Sequence, residues 1–276
     1  MMRISSNREF WQFFFAAIGT ISSVVTLVSF VFQLTKPSWW VITIFIVVVL
    51  FISILYAFLQ TRRRESINIK ISNTLTANVL PGDLFSFAKD GNYVVIPVNE
   101  YFDTIADNKI INKGSVHGQF ILKYYAEDHT KLHDEIDAYF ASRGIIGKEA
   151  ERPNSEGYKV KYPLGTCAIV EKDNTNYVLL ALTHFDEDDH AYVELSEFGR
   201  SISCLFHFLS DKVGEVPVYM PLMGMGMARL NQPAQFILKY TLDTIVGIKG
   251  LALLGGIHIV LYPLIAKTVN LNEIQY

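Results

Sequence analysis

The chain has 276 residues, half of them hydrophobic, with a mean hydropathy of +0.25 and a formal net charge of −3. It is too apolar for a purely soluble domain, which points to a membrane segment beside a globular part. It also lacks the general basic surface that a nucleic-acid binder offers to phosphates.

The apolar excess lies at the start. No charged residue occurs from Phe10 to Thr35 or from Pro37 to Thr61. Each run has the ~20 apolar residues that a bilayer core requires. Only Thr35, Lys36, Pro37 and Ser38 separate them, so residues 1–64 are expected to form a transmembrane hairpin, with spans at 10–34 and 38–60. A cleaved signal peptide would have a shorter apolar core and no second span. Arg62, Arg63 and Arg64 follow the second span, and Arg3 and Arg8 precede the first. The positive-inside rule therefore puts both termini in the cytoplasm, as a multi-pass protein of the cytoplasmic (inner) membrane. Trp39 and Trp40 suit an aromatic belt at the outer turn, and Phe10 and Trp11 one at the inner face. Ala16, Gly19, Thr20, Ser23 and Thr26 form a stripe of small residues, suited to close helix packing within the hairpin or between molecules. Neither span holds an ionisable residue, so a charged transport site has no candidate.

Residues 1–64 hold six Lys/Arg against one Glu, so residues 65–276 must carry −8 to give −3 overall. This second part has the size of one domain. Its two cysteines, Cys167 and Cys204, are isolated and mark no disulfide framework. Residues 67–71 alternate as a strand, and 93–98 read as a buried strand. Helices are expected over 115–126 and 131–143. Residues 165–170 and 177–182 read as adjacent strands. A helix follows, with Phe198, Ile202, Leu205, Phe206, Leu209 and Val213 on its buried stripe and Gly214 at its end. A strand at 216–222, a helix at 233–249 and a last strand at 257–263 complete the order. Alternating strands and helices imply an α/β sandwich on a largely parallel sheet. Ligands of such sheets sit beyond the carboxyl ends of the strands.

Four loops fit that position: Pro81-Gly82-Asp83-Leu84-Phe85, Val98-Asn99-Glu100, residues 112–120 with Gly114 and Gly118, and residues 221–230 with Gly224 and Gly226. In this order they resemble the macro domain, a module that binds ADP-ribose. The resemblance covers roughly residues 67–265 and implies a macro-like three-layer sandwich with a mixed, largely parallel sheet, preceded by the two membrane helices. It implies that the Asp83 carboxylate, beside Leu84, accepts from the adenine amine and that Asn99 meets the distal ribose. The diphosphate would lie on the backbone of Gly114, Ser115, Val116, His117 and Gly118 and of Leu222, Met223, Gly224, Met225, Gly226 and Met227. Glycines at helix starts provide inward N–H donors for it. The chain departs from the family in having Pro97-Val98-Asn99-Glu100 for an Asn-Ala-Ala-Asn stretch and His117 for a small residue. These departures lie near the distal ribose and favour a modified ligand.

A membrane hairpin ahead of a macro-like domain resembles the membrane effector of Thoeris-type bacterial antiphage defence. The resemblance implies a sensor of an ADP-ribose-derived signal nucleotide, such as a histidine conjugate. A TIR-domain, NAD-cleaving partner would make that signal. The sensor would then form homo-oligomers and disrupt the lipid bilayer, as neither an enzyme nor a cofactor protein. The rivals are a membrane-tethered ADP-ribosyl hydrolase and a passive reader of ADP-ribosylated proteins. No P-loop, GxSxG, HExxH or CxxC motif appears, so no catalytic or metal residue is assigned. His129 and His133, beside Glu127 and Asp128, read as a solvated helix face, and residues 183–194 as a solvated acidic loop.

Overall fold

The computed structural model describes residues 10–23, 38–60, 64–89, 91–152, 156–186, 188–226, 228–274 and 276. The chain forms two compact units, Met1–Arg64 with Asn270–Glu273 and Glu65–Val269 with Ile274–Tyr276.

In the first unit residues 10–23 are helical (α1), and Trp39–Gln60 forms helix α2. Among the described residues one helix, Trp39–Leu59 within α2, is long and apolar enough to cross a membrane. The remainder of the first expected span, residues 24–34 with Thr26, lies outside the described residues, as do Arg62 and Arg63. Inside α2 the Thr43 and Ser53 hydroxyls donate back to the carbonyls of Trp39 and Val49, at 3.0 and 2.9 Å. Thr20 and Ser23 in α1 do the same to Ala16 and Gly19. Each hydroxyl is thereby satisfied by its own helix.

The second unit contains strands β1 (Ile67–Lys70), β2 (Leu75–Pro81), β3 (Tyr93–Asn99), β6 (Cys167–Lys172), β7 (Thr175–Phe185), β9 (Val218–Pro221) and β10 (Leu253–Leu261). Shorter pieces are β4 (Lys148–Glu149), β5 (Val160–Lys161) and β8 (Ala191–Tyr192). The helices are α3 (Val116–Tyr124), α4 (His129–Arg143), α5 (Leu195–Lys212), α6 (Ala234–Gly247) and α7 (Pro263–Ala266). The main sheet runs β1-β2-β10-β9-β3-β7-β6, with β8 paired to β7. β2, β10, β9, β3 and β7 are mutually parallel, and β1 and β6 close the edges antiparallel.

Local chemistry sets these elements. The β6–β7 hairpin turns at Asp173 and Asn174, both with positive φ (48° and 57°), the backbone of a tight primed turn. Asp128 caps α4 by accepting from the N–H groups of Thr130 and Lys131, and Gly144 ends it at φ 64°. Glu194 and Glu197 form a reciprocal capping box on α5. Strand side chains alternate between faces. On one face Val94, Ile96, Val98, Tyr177 and Leu179 pack with Phe120, Leu132, Ile136 and Phe140 of α3 and α4. Their neighbours Val95, Val178, Leu180 and Leu182 are buried on the opposite side, where α5 packs on β7 and α6 packs on α5. The three-layer sandwich with a mixed sheet is thus present. β2 was not legible in the sequence as a strand, and the last strand begins earlier than expected, at Leu253. A bulge at Gly255 and Gly256 shifts its register.

Candidate ligand-binding site

Two features of the sheet define a crevice. β3 and β9 pair only through Tyr93–Val218 and Val94–Tyr219, at their starts, so no ladder bonds join their carboxyl ends. The chain leaves β3 toward α3 and α4 on one face and leaves β9 toward α6 on the other. This is a topological switch point, where open α/β sheets bind ligands.

The loops around it are tied together. Gly82 N–H donates to Leu261 O (3.0 Å), and Leu222 N–H to Val260 O (3.3 Å), joining the ends of β2, β10 and β9. The Asp83 turn and the Met-Gly loop therefore leave the sheet two strand spacings apart, about 10 Å. The Lys123 ammonium of α3 lies 5.3 Å from the Phe85 ring centroid, bringing α3 beside the Asp83 turn.

The structure places every candidate residue except Met227. Asp83 is exposed, and one of its oxygens accepts from Phe85 N–H at 3.0 Å, capping a short 3₁₀ turn, Leu84–Phe87. Leu84 is buried beneath it. Ser115 caps α3 by accepting from Gly118 N–H (3.0 Å), while Gly114 N–H donates to the Asn112 side chain (2.8 Å). Among the described residues the N–H groups of Val116 and His117 meet no protein acceptor, leaving two donors at a helix start. The His117 side chain is buried, and burial pushes its imidazole down to about 3 against a hydrogen bond to the Asp103 backbone. Gly118 is required by the fold itself: a Cβ there would stand 2.2 Å from Asn112 O.

The Met-Gly loop divides in two. Met220, Leu222 and Met223 are buried, so they floor the loop. Gly224 has φ +85°, and a Cβ on it would stand 2.5 Å from Leu230 Cδ1, so packing and conformation both demand glycine. Gly226 is exposed, and a Cβ on it would meet nothing within 4 Å. Only Gly226 therefore leaves space that the fold does not use. Met225 is half-buried, and Met227 lies outside the described residues.

Asn99 is tied into the loop after β3. It is buried, its Oδ1 accepts from Tyr101 N–H (2.9 Å), and its Nδ2 donates to Asp103 Oδ2 (3.1 Å). Its amide organises the loop after β3. Asp103, fully buried, contacts Arg152 at 2.9 Å, and Arg152 reaches Asp189 at 2.7 Å. The guanidinium lies 4.2 Å from the Tyr101 ring centroid and 5.2 Å from that of Phe185. Burial lifts the Asp103 carboxyl, and the Arg152 contacts oppose it. A second cluster lies beside it. His184 bridges Glu100 (2.9 Å) and Glu197 (3.1 Å). Burial lowers the His184 imidazole, but the two carboxylates outweigh it and raise it above its ordinary value.

These residues escaped sequence reading. Glu100 and Asp103 flank Asn99 in a loop already singled out. His184 and Asp189 lie in the stretch read as solvated, which in the structure meets Arg152 and Glu197. No periodic signal marked Arg152. His133, likewise read as solvated, stacks on Tyr158 with ring centroids 3.6 Å apart. No group of three or more metal-ligating side chains occurs among the described residues. Two cavities, of 340 and 170 Å³, lie beside the loop after β3, and no candidate residue lines either. The candidate residues instead gather at the switch point between β3 and β9, beside the unpartnered N–H groups of Val116 and His117.

Residues 77–261 match the family model described as "Thoeris protein ThsA, Macro domain". The chain belongs to the Thoeris ThsA macro-domain family. It is 29% identical over 225 residues to Thoeris protein ThsA of Bacillus amyloliquefaciens (strain Y2), covering 81% of this chain and 73% of that one. Among solved structures it resembles a variant of the Oceanobacillus iheyensis macrodomain with ADPR (TM-score 0.49, 12% identity, 74% of this chain and 94% of that one). It also resembles that macrodomain with ADP (TM-score 0.45, 13% identity, 74% and 92%). The ThsA match spans β2 to β10, and so includes the Asp83 turn, α3 and the Met-Gly loop.

Proposed function

We propose that the chain is a membrane-anchored sensor and effector of Thoeris antiphage defence. It binds an ADP-ribose-derived nucleotide, such as an amino-acid conjugate made by a TIR-domain partner from NAD. The observation that carries this reading is the β3/β9 switch point, flanked by the start of α3 and by the open Gly226, in a ThsA macro domain. The N–H groups of Val116 and His117 would meet the diphosphate together with the backbone at Gly226. The Asp83 oxygen not used in its turn would take the adenine amine. Asn99 would hold the distal loop in shape rather than grip the ribose with its whole amide. The α2 segment supplies the anchor, with the arginine-rich end of residues 1–64 cytoplasmic and the acidic domain on the same side.

The effector step follows from energetics. Moving an equilibrium from 1:99 to 99:1 needs about 10⁴-fold differential affinity. A small ligand supplies that most simply by completing a surface with a second subunit. Assembly would then gather many hairpins, so that weak small-residue contacts act together. The test is full-length protein in liposomes, with the nucleotide products of a TIR enzyme added. Dye release and growth in particle size are expected. Gly19→Leu with Ser23→Leu should keep ligand binding and lose release. Gly19 and Ser23 are both exposed on α1, so the larger side chains alter a surface of that helix. Turnover of ADP-ribosylated protein without release would instead favour the hydrolase.

A further inference from the structure

His184 is the last residue but one of β7, which runs parallel to β3 and ends beside it. Its ring holds two carboxylates from different elements. Nδ1 is 2.9 Å from Glu100 Oε2, and Nε2 is 3.1 Å from Glu197 Oε1. Glu100 sits in the loop after β3, directly after Asn99, and its N–H donates to Thr183 O at 2.8 Å. Glu197 lies in the first turn of α5. The Met-Gly loop rests on the start of that same helix. Val193 N–H donates to Ala228 O at 3.2 Å, and the Cβ position of Gly224 is 3.4 Å from Phe198 Cε2. The imidazole thus ties the loop after β3, which leads into α3, to the helix start that carries the Met-Gly loop.

The bridge needs a charged ring. Ionised carboxylates only accept, and a neutral imidazole has one N–H to give. Only the imidazolium donates to both partners. With a neutral ring, one of the two contacts sets acceptor against acceptor, and that side of the clasp lets go.

The neighbouring groups do not take the ring's place. Lys161 of β5 is 3.9 Å from Glu100 Oε2, beyond hydrogen-bond length. Arg200 of α5 acts on Glu197 from an exposed position. Glu194 is turned into the capping box of α5. The Tyr192 ring of β8 lies 5.5 Å from the imidazole, centroid to centroid. Asp186 and His190, further along the chain, pair with each other at 3.5 Å. Glu100 is buried and His184 and Glu197 are half-buried, so salt screens this bridge less than a surface pair.

We propose that His184 is a positioning residue for the nucleotide groove: as an imidazolium it clasps the loop after β3 to the start of α5, and so fixes the separation of the two loops that would flank the diphosphate. The role rests on the nucleotide reading above and adds to it one bound proton that the groove needs to hold its shape. The two carboxylates raise the imidazole above its ordinary value, against burial. The clasp is therefore complete at about pH 6.5 and below, and opens as pH rises through the higher folded value.

The test is calorimetric titration of ADP-ribose into full-length protein in detergent micelles at pH 6, 7, 8 and 9. Wild type should lose affinity as pH rises, by about three- to tenfold, the net worth of one hydrogen bond. His184→Gln does not titrate and should give a flat profile. Glu197→Gln separates position from charge. Its amide N–H can donate to a neutral imidazole, which in turn donates to Glu100, so the clasp stays closed. Its affinity at pH 9 should equal its affinity at pH 6, whereas a role through the imidazolium charge alone would leave it as pH-dependent as wild type. Should His184→Gln fail to fold, wild type and Glu197→Gln decide the matter. A flat wild-type profile, or an undiminished pH dependence in either variant, in protein that binds ADP-ribose would overturn the positioning role and spare the nucleotide reading. No binding at any pH would overturn both.

Discussion

His117 makes the domain acid-sensitive in a way that can be worked out in advance. It is the second residue of α3, buried at 6% exposure, with its imidazole held at about 3 against an ordinary value of 6.5. Burial is the cause, and the hydrogen bond to the Asp103 backbone opposes it without cancelling it. The folded state therefore binds its proton later than the unfolded state. Stability rises with pH across that window and is lost as pH falls from about 6.5 toward 3. At pH 7 the cost is only about 0.2 kcal/mol, and at pH 5 it reaches about 2 kcal/mol. For a domain of this size that is a fall of about 4–8 °C in melting temperature. The comparison is wild type against His117→Gln, which keeps a donor for Asp103 but does not titrate. Thermal unfolding in detergent at pH 7, 6 and 5 should show wild type losing this excess relative to the variant. Parallel curves would refute the buried, neutral His117.

Arg152→Met should cost about 3–5 kcal/mol, because it strands the Asp103 carboxylate in the interior; chemical denaturation reads this, and a loss under 1 kcal/mol would mean that the pair is not sealed from water. The raised His184 contributes stability that is complete below about 6.5 and fades as pH rises through its higher folded value. Glu197→Gln should therefore lower the melting temperature more at pH 6 than at pH 9, and an equal fall at both would count against the bridge. Gly118→Ala should destabilise by about 1–3 kcal/mol, since the added methyl meets the Asn112 backbone; a neutral effect would show that the loop before α3 can move aside.

The parallel sheet was legible because its strands are continuous apolar runs and its helices carry caps and stripes. Phe198 to Leu209 on α5 is an example; the start of α4 was placed at 131, two residues after His129, because its Asp128 cap was not recognised. β2 was missed because Leu75–Pro81 mixes Thr76 and Asn78 into the run, as a strand next to the antiparallel edge can. The candidate loops were found through their glycines, but the reasons for those glycines were not separable. Gly118 answers to a backbone contact and Gly224 to Leu230, contacts between residues that the chain brings together only on folding. The intraloop bonds of Asn99 were not legible because its partners, Tyr101 and Asp103, look like ordinary loop residues. The Arg152 and His184 bridges join three loops distant in sequence, and no local spacing announces them.

Gly226 permits the most direct measurement of the proposed nucleotide groove. Its position is open, so Gly226→Leu should fold as wild type does, whereas Gly224→Leu would fail for reasons of packing. Calorimetric titration of ADP-ribose into full-length wild-type, Gly226→Leu and Asp83→Ala protein is the experiment. Wild type should bind, Gly226→Leu should block the diphosphate, and Asp83→Ala should weaken binding by about 1.5–3 kcal/mol, roughly 10- to 150-fold. Unchanged affinity in both variants, with melting temperatures equal to wild type, would contradict a nucleotide site at the β3/β9 switch point.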